Sequence, residues 1–221
     1  MIVAIDGPAG SGKGTVAKLI DERLGYTRID TGAMYRCIAL KMLRKNIGLD
    51  EEEKIKEILD NTNIELRKEN DNLIVLLDGE DVTKEIRTPA VNSIVSPVSA
   101  IKIIRIKMVD LQRAMKDKAE NIVMEGRDIT TVVFPDADIK IYLTASIDER
   151  AKRRYTELKE SNVDTTFEEV RENICARDEN DMKKEMGALK VADGAIVIDN
   201  TNISIEGTFL EIKNIIDTVR K

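Results

Sequence analysis

Gly7-Pro8-Ala9-Gly10-Ser11-Gly12-Lys13-Gly14-Thr15 follows a short β-branched run, Ile2 to Ile5, and leads into a helical pattern set by Val16, Leu19, Ile20 and Leu24. Strand, glycine-rich loop and helix in that order form the context in which a phosphate loop works. The glycines let the backbone curl so that several N–H groups point inward, and with the helix N-terminus they make an anion cradle. Lys13 is placed to reach the β- and γ-phosphates of a nucleoside triphosphate, and Thr15 to put its hydroxyl on Mg²⁺. Gly14 stands where Ser or Thr follows the lysine in the commoner form of the motif. A turn serving only the fold has no need of a lysine at this position.

Working outward, Tyr26 to Ile29 reads as a second strand and Ala33 to Leu43 as a helix with Met34, Ile38, Leu40 and Met42 mostly on one side. Asp50 to Glu53 opens another helix, its acids suited to the macrodipole. Between Asn63 and Val82 the texture changes: Ile64-Glu65-Leu66 alternates, Leu73 to Leu77 is continuously apolar, and Asn70-Asp71-Asn72 separates them as a turn. This predicts a small antiparallel insertion. Thr88 to Glu120 returns to helix with an interruption near Pro97. Asn121 to Glu125, Ile139 to Leu143 and Ala195 to Ile198 are further strand candidates, separated by helical stretches at 147–159, 167–186 and 204–220. Strands alternating with helices predict an α/β fold with a parallel sheet covered on both faces.

The chain has 221 residues, enough for one α/β domain with an insertion. A 42% hydrophobic fraction beside 34% charged residues reads as globular, and a net charge of −6 argues against a nucleic-acid polymer as partner. There is no histidine, which removes every His-based acid, base or metal ligand. Cys37 and Cys175 read as two small buried side chains rather than a disulfide. No stretch approaches a membrane span, and Met1 to Ile5 is followed at once by Asp6-Gly7, which suits a strand rather than a signal peptide. The cytoplasm is the expected compartment.

The loop implies nucleoside triphosphate binding but leaves the class open. A GTPase would carry Asn-Lys-x-Asp and Asp-x-x-Gly, and a transport ATPase a Ser-Gly-Gly signature; none occurs here. A regulatory NTPase and a kinase for another small acceptor remain as alternatives. Asp30 or Thr31 can cap the helix that follows them, and Arg36, alone, reads as solvated surface or as a bidentate phosphate ligand. Glu125-Gly126-Arg127-Asp128 follows a buried strand, at the carboxyl edge of the sheet where open α/β folds bind ligands.

Taken together, the loop, Asp30-Thr31-Gly32-Ala33-Met34-Tyr35-Arg36, Gly79-Glu80-Asp81-Val82, Glu85-Ile86-Arg87-Thr88, Gly126-Arg127-Asp128-Ile129, Thr131 to Ala137 and Ala176-Arg177-Asp178-Glu179-Asn180-Asp181 resemble the bacterial cytidylate kinases over nearly the whole chain. The resemblance implies a P-loop kinase: a parallel-sheet core (1–45, 121–150 and 190–221), a nucleoside-monophosphate part with a small β insert (about 46–120) and a helical lid (about 151–185). It implies a monomer acting in pyrimidine nucleotide metabolism, with ATP and Mg²⁺ as donor and CMP or dCMP as acceptor. Gly7 to Thr15 would bind ATP. Asp30, Thr31, Tyr35 and Arg36 would bind the acceptor, with Arg36 and Arg127 on its phosphate. Ser96, Arg105 and Asp128 would face the cytosine, and Arg177 and Asp181 the sugar and nearby phosphate. Lys13, Arg127 and the lid arginines Arg150, Arg153 and Arg154 would be catalytic. The trio's spacing puts it near one face of a helix, as for a converging set or for a solvated face. Two positions depart from the pattern: Glu125, where aspartate is commoner, and Lys184, where some members carry an arginine.

Overall fold

The computed structural model describes residues 1–70 and 72–220. It divides into two compact units, one formed by Met1–Arg28 with the chain from Ala119 onward, the other by Ile29–Lys118.

The first unit is built on β1 (Ile2–Asp6), whose five residues are all buried. A continuous β-branched run of this kind suits the middle of a parallel sheet. Strands β2 (Thr27–Asp30), β6 (Ile122–Gly126), β7 (Ile139–Thr144) and β8 (Ile196–Asp199) complete a sheet in the order β2-β6-β1-β7-β8. β1 pairs in parallel with β6 and β7, placing Asp6 opposite Gly126 and Tyr142, and β7 pairs in parallel with β8. Helices α1 (Lys13–Leu24) and α8 (Ile205–Val219) carry the rest of the core: Val16, Ala17, Ile20, Phe209, Ile212 and Ile216 pack with Val3, Ile5, Val123, Ile141 and Leu143. Helices α6 (Ile147–Glu160) and α7 (Phe167–Lys183) pair through Ala151, Val170 and Ile174, with Tyr155, Leu158 and Phe167 against them. Ser146 caps α6, and Thr166 with Glu169 forms a reciprocal capping box on α7.

In the second unit α2 (Thr31–Arg44) runs through the interior, and α3 (Glu52–Asp60) follows with Glu52 and Glu53 in its first turn. The expected insertion is a three-stranded antiparallel sheet of β3 (Ile64–Glu69), β4 (Asn72–Leu77) and β5 (Glu80–Asp81). Its register pairs Glu69 with Asn72; of the expected turn, Asp71 lies outside the described residues. Lys41, buried on α2, donates to Asn61 O at 2.5 Å and Asp78 Oδ2 at 2.6 Å, which ties the insertion to the helix.

The expected interruption near Pro97 is present, and two other expectations shift. Helix α4 (Pro89–Val98) carries the proline in its last turn, where losing one N–H costs a single bond, and α5 (Lys102–Ala114) starts after Ile101. Helix α7 stops at Lys183, three residues short of Met186, because Lys184 adopts extended geometry at ψ 134°. Both cysteines are free, but only Cys37 is buried; Cys175 is half-exposed. Among the described residues no helix is long and apolar enough to cross a membrane.

Gly7 sits at φ 153°, and a Cβ there would lie 2.0 Å from the carbonyl oxygen of Leu143 on β7. The two nearest obstructing atoms, at 2.0 and 3.0 Å, are both backbone of Leu143, so relief requires moving the loop off the sheet. Gly7→Ala is expected to lower unfolding free energy by at least about 3 kcal/mol, as measured by urea denaturation. A loss below about 1 kcal/mol would contradict this packing.

Candidate active site

The phosphate loop crosses from β1 to α1, and its interior is braced by side chains from α1, α6, α7 and the segment after β8. Lys13, buried, turns its ammonium inward, donating to Pro8 O at 2.7 Å and Ser11 Oγ at 3.1 Å. Asp178 on α7 accepts from Ala9 N at 3.2 Å and from Arg150 Nη1 at 2.5 Å. Arg150, also buried, donates to Ala9 O and to Ala145 O, both at 2.9 Å. Asn200 holds the outer turn: its Nδ2 donates to Ser11 O at 3.0 Å, while Arg153 donates to its Oδ1 and its backbone oxygen at 3.0 and 2.8 Å. Thr15 is exposed in the first turn of α1. The space beside Gly14 belongs to Glu125: a Cβ there would be 2.9 Å from Glu125 Oε1, and Arg28 pairs with that carboxylate at 3.2 Å.

Beyond β6 the chain presents Arg127 and Asp128. Arg127 Nε donates to Asp181 Oδ2 at 2.8 Å, and Lys184 Nζ takes the other oxygen at 2.7 Å. The buried Asp128 uses its backbone oxygen to accept from Val132 N and Val133 N, which opens a π-helical turn over Ile129–Val133. Asp6 lies beneath this turn, fully buried, accepting from Ile129 N at 2.9 Å, Thr130 N at 2.7 Å and Thr130 Oγ1 at 2.6 Å.

In the second unit Asp30 caps α2 by accepting from Ala33 N at 2.9 Å, and Arg87 approaches its other oxygen at 3.4 Å. Thr31 is buried in the first turn. Arg36 leans over Gly32, where a Cβ would be 2.9 Å from its Nη1, and its Nε donates to Asn92 at 3.4 Å. The buried Arg105 lies 5.6 Å from the centroid of the Tyr35 ring and donates to Ser99 O at 3.1 Å. Ser96 Oγ is buried and, among the described residues, has no hydrogen-bond partner.

The electrostatics follow. Burial, then the charge of Arg127, pulls the Lys13 ammonium well below its ordinary range, while Glu125 and Asp6 work the other way. Burial opposes ionisation of Asp181, yet Arg127 and Lys184 outweigh it and hold its carboxyl at about 2. Burial pushes Asp6 up to about 6 in spite of the hydrogen bonds from Thr130 and Ile129.

The three arginines of the expected lid trio have different partners in this structure. Arg150 and Arg153 reach the loop and its neighbour Asn200, whereas Arg154 pairs with Glu157 at 2.8 Å in exposed surroundings. Arg177 lies on α7 and contributes to the positive field at Lys13. Sequence reasoning passed over Asp6, Arg28, Asp178, Asn200, Arg87 and Asn92, and set Lys184 aside. For Asp6 the signal was a carboxylate ending an otherwise apolar strand. For Asp178 it was the three-residue spacing from Asp181, which puts both on one helix face.

Comparison with known proteins adds an independent line. A family model described as cytidylate kinase matches residues 3–220. A cytidylate kinase from Caldicellulosiruptor saccharolyticus is 52% identical over 204 residues, covering 92% of this chain and 90% of the relative. One from Caldanaerobacter subterraneus subsp. tengcongensis is 48% identical, covering 99% and 94%, and one from Fusobacterium nucleatum 44%, covering 100% and 99%. Among solved structures, an uncharacterized protein from Eubacterium ventriosum aligns with a TM-score of 0.52 at 15% identity, covering 99% of this chain and 98% of its own, which is a likeness of fold.

The opposite shifts of Asp6 and Asp181 separate on a pH axis. Asp6 has a folded pKa above the ordinary 3.8, so its contribution to stability is full below that value and is lost as pH rises through about 6. Asp181 contributes above 3.8 and loses its contribution as pH falls through about 2, so it is silent between pH 4 and 6. Between about pH 4 and pH 6.5, unfolding free energy of the parent should fall by about 2 kcal/mol relative to Asp6→Asn, most of what a shift of about two units allows. Parallel urea-unfolding profiles for the two proteins would contradict the assignment.

Proposed function

The chain belongs to the cytidylate kinase family and is a nucleoside monophosphate kinase that moves the γ-phosphoryl of ATP to CMP; from that premise we propose which of its residues do the work. Neither the regulatory NTPase nor a kinase for another acceptor is favoured by these relatives. In the first unit, Gly7 to Thr15 take the triphosphate, with Lys13 on its β- and γ-oxygens. The observation that carries this assignment is Lys13 itself: a buried ammonium resting on Pro8 O and Ser11 Oγ, destabilised by burial and by Arg127. Phosphate oxygens give it stronger partners than a carbonyl and a hydroxyl.

Phosphoryl transfer passes through a loose transition state with charge spread over the equatorial oxygens, so positioning and electrostatics supply the rate. Arg127 binds the CMP phosphate. Arg150 and Arg153 brace the donor loop through Ala9 and Asn200; Arg153 and Arg154 belong to the lid over about 151–185, and Arg150 stands at its edge. Arg177 and Asp181 contact sugar and phosphate. The attacking CMP phosphate is anionic near neutral pH, so no strong base is required. Mg²⁺ is the expected divalent ion. Thr15, exposed in the first turn of α1, carries a hydroxyl oxygen of the kind that ion takes, and the ion would neutralise charge developing between the phosphates.

In the second unit, Arg36 is assigned to the CMP phosphate, with Asp30, Thr31 and Tyr35 around it. Cytosine offers acceptors at N3 and O2 and a donor at its 4-amino group. Arg105 and Ser96 supply donors, and the buried Ser96 Oγ, which has no hydrogen-bond partner among the described residues, supports this reading. Asp128, in the first unit, supplies the acceptor for the amino group. dCMP serves as a second acceptor. We place the enzyme in the cytoplasm as a monomer working on free nucleotides in pyrimidine metabolism.

Uracil inverts the pattern at N3 and at the exocyclic position, and leaving a buried charged group unpaired costs about 3 kcal/mol. CMP should therefore exceed UMP by on the order of a hundredfold in kcat/KM. Arg105→Met should lose most CMP use and narrow that ratio to about tenfold or less. ADP release measured with CMP, with UMP and without acceptor tests this. Equal rates with and without CMP would overturn the kinase assignment, and equal use of CMP and UMP would overturn the base-reading residues.

A further inference from the structure

We propose that Asp6 is a positioning residue for phosphoryl transfer: its carboxylate ties the entry of the phosphate loop to the turn that carries Arg127 and Asp128. Arg127 and Asp128 are held from both sides by the same residue. On one side Gly126 is paired with Asp6 in the parallel register of β6 and β1. On the other, Ile129 N and Thr130 N donate to the two carboxylate oxygens of Asp6, at 2.9 and 2.7 Å, and Thr130 Oγ1 adds a bond of 2.6 Å. Only Arg127 and Asp128 lie between these anchors. The exit is fixed in turn, because Asp128 O accepts from both Val132 N and Val133 N. Gly7 follows Asp6 directly, so the residue that fixes the acceptor-side turn also sets the first bond of the donor loop.

A carboxylate is an expensive way to fill a fully buried position, and an apolar side chain would usually be cheaper. What it supplies here is acceptor capacity for three donors, which an amide cannot match because its NH₂ would face an N–H. Charged and titratable groups surround it on each packed element: Asp128 on the turn, Lys13 on α1 and Tyr142 on β7. Burial raises the Asp6 carboxyl to about 6, which marks how strongly the site is enclosed.

The inference rests on reading Arg127 and Asp128 as CMP ligands. Its test measures kcat and KM for CMP at saturating ATP, together with ATP affinity by equilibrium binding. The proteins compared are the parent, Asp6→Asn, Thr130→Val, Thr130→Ser and Arg127→Met. Displacing the turn by a fraction of an ångström should lower kcat/KM for CMP by on the order of a hundredfold in Asp6→Asn, with ATP affinity changed less than about threefold. Thr130→Val, which removes one of the three donors, should lose about tenfold, and Thr130→Ser should recover most of it. A folded Asp6→Asn within about threefold of the parent, or one whose ATP binding falls as far as its CMP use, would overturn the proposal. If Asp6→Asn does not fold, unchanged CMP kinetics in Thr130→Val overturn it. Arg127→Met with unchanged CMP kinetics overturns the reading beneath the inference and the inference with it. Loss in Arg127→Met beside parental rates in Asp6→Asn and Thr130→Val overturns the inference alone.

Discussion

The Lys13 ammonium is buried at the mouth of the phosphate loop with a carbonyl and a hydroxyl as its hydrogen-bond partners, and most of the first unit can be understood as the means of tolerating that. A buried ammonium near a guanidinium is costly unless negative charge lies close by. Asp6 and Glu125 supply it through the field at Lys13, while Asp178 and Asp181 hold Arg150 and Arg127. Each of these carboxylates also fixes backbone or a neighbour: Asp178 the loop at Ala9, Asp6 the turn at Ile129 and Thr130. Charge compensation and loop geometry are therefore the same set of contacts. The cost of assembling the cations is met during folding.

This arrangement also explains why a chain without histidine is suited to its reaction. The attacking phosphate of CMP is itself anionic, and phosphoryl transfer asks for positioning and electrostatics rather than for proton abstraction by a histidine. Helix α7 has a double task in the first unit. It pairs with α6 through Val170 and Ile174 on one face and presents Asp178 and Asp181 on another. Any movement of that helix is thereby coupled to the orientation of Arg127 and Arg150.

Much of this was legible in the chain. The β-branched run before Gly7, the glycine spacing and Lys13 defined the strand–loop–helix unit because those residue types have few other uses in that order. The alternation at Ile64 to Leu66 and the apolar run to Leu77 disclosed the insertion, since strand periodicity is local. What stayed hidden depends on long-range pairing. Asn200 lies 189 positions from Ser11, to which it donates, and no local pattern announces such a contact. Arg154 and Arg150 share a helix face by spacing, yet Glu157 takes one and Asp178 the other; spacing fixes direction along a helix, not the partner waiting there. Lys184 stands where some members of the family carry an arginine, and its ammonium pairs with Asp181 three residues earlier at the end of α7.

The central claim is that the Lys13 ammonium is held in an unfavourable setting that a bound triphosphate relieves. Nitrogen-15 NMR titration of the Lys13 Nζ, without nucleotide and with saturating ATP, measures this directly. The account predicts a pKa well below that of an exposed lysine in the free protein and a rise on binding ATP. An ordinary lysine value in the free protein, unchanged by ATP, would contradict it.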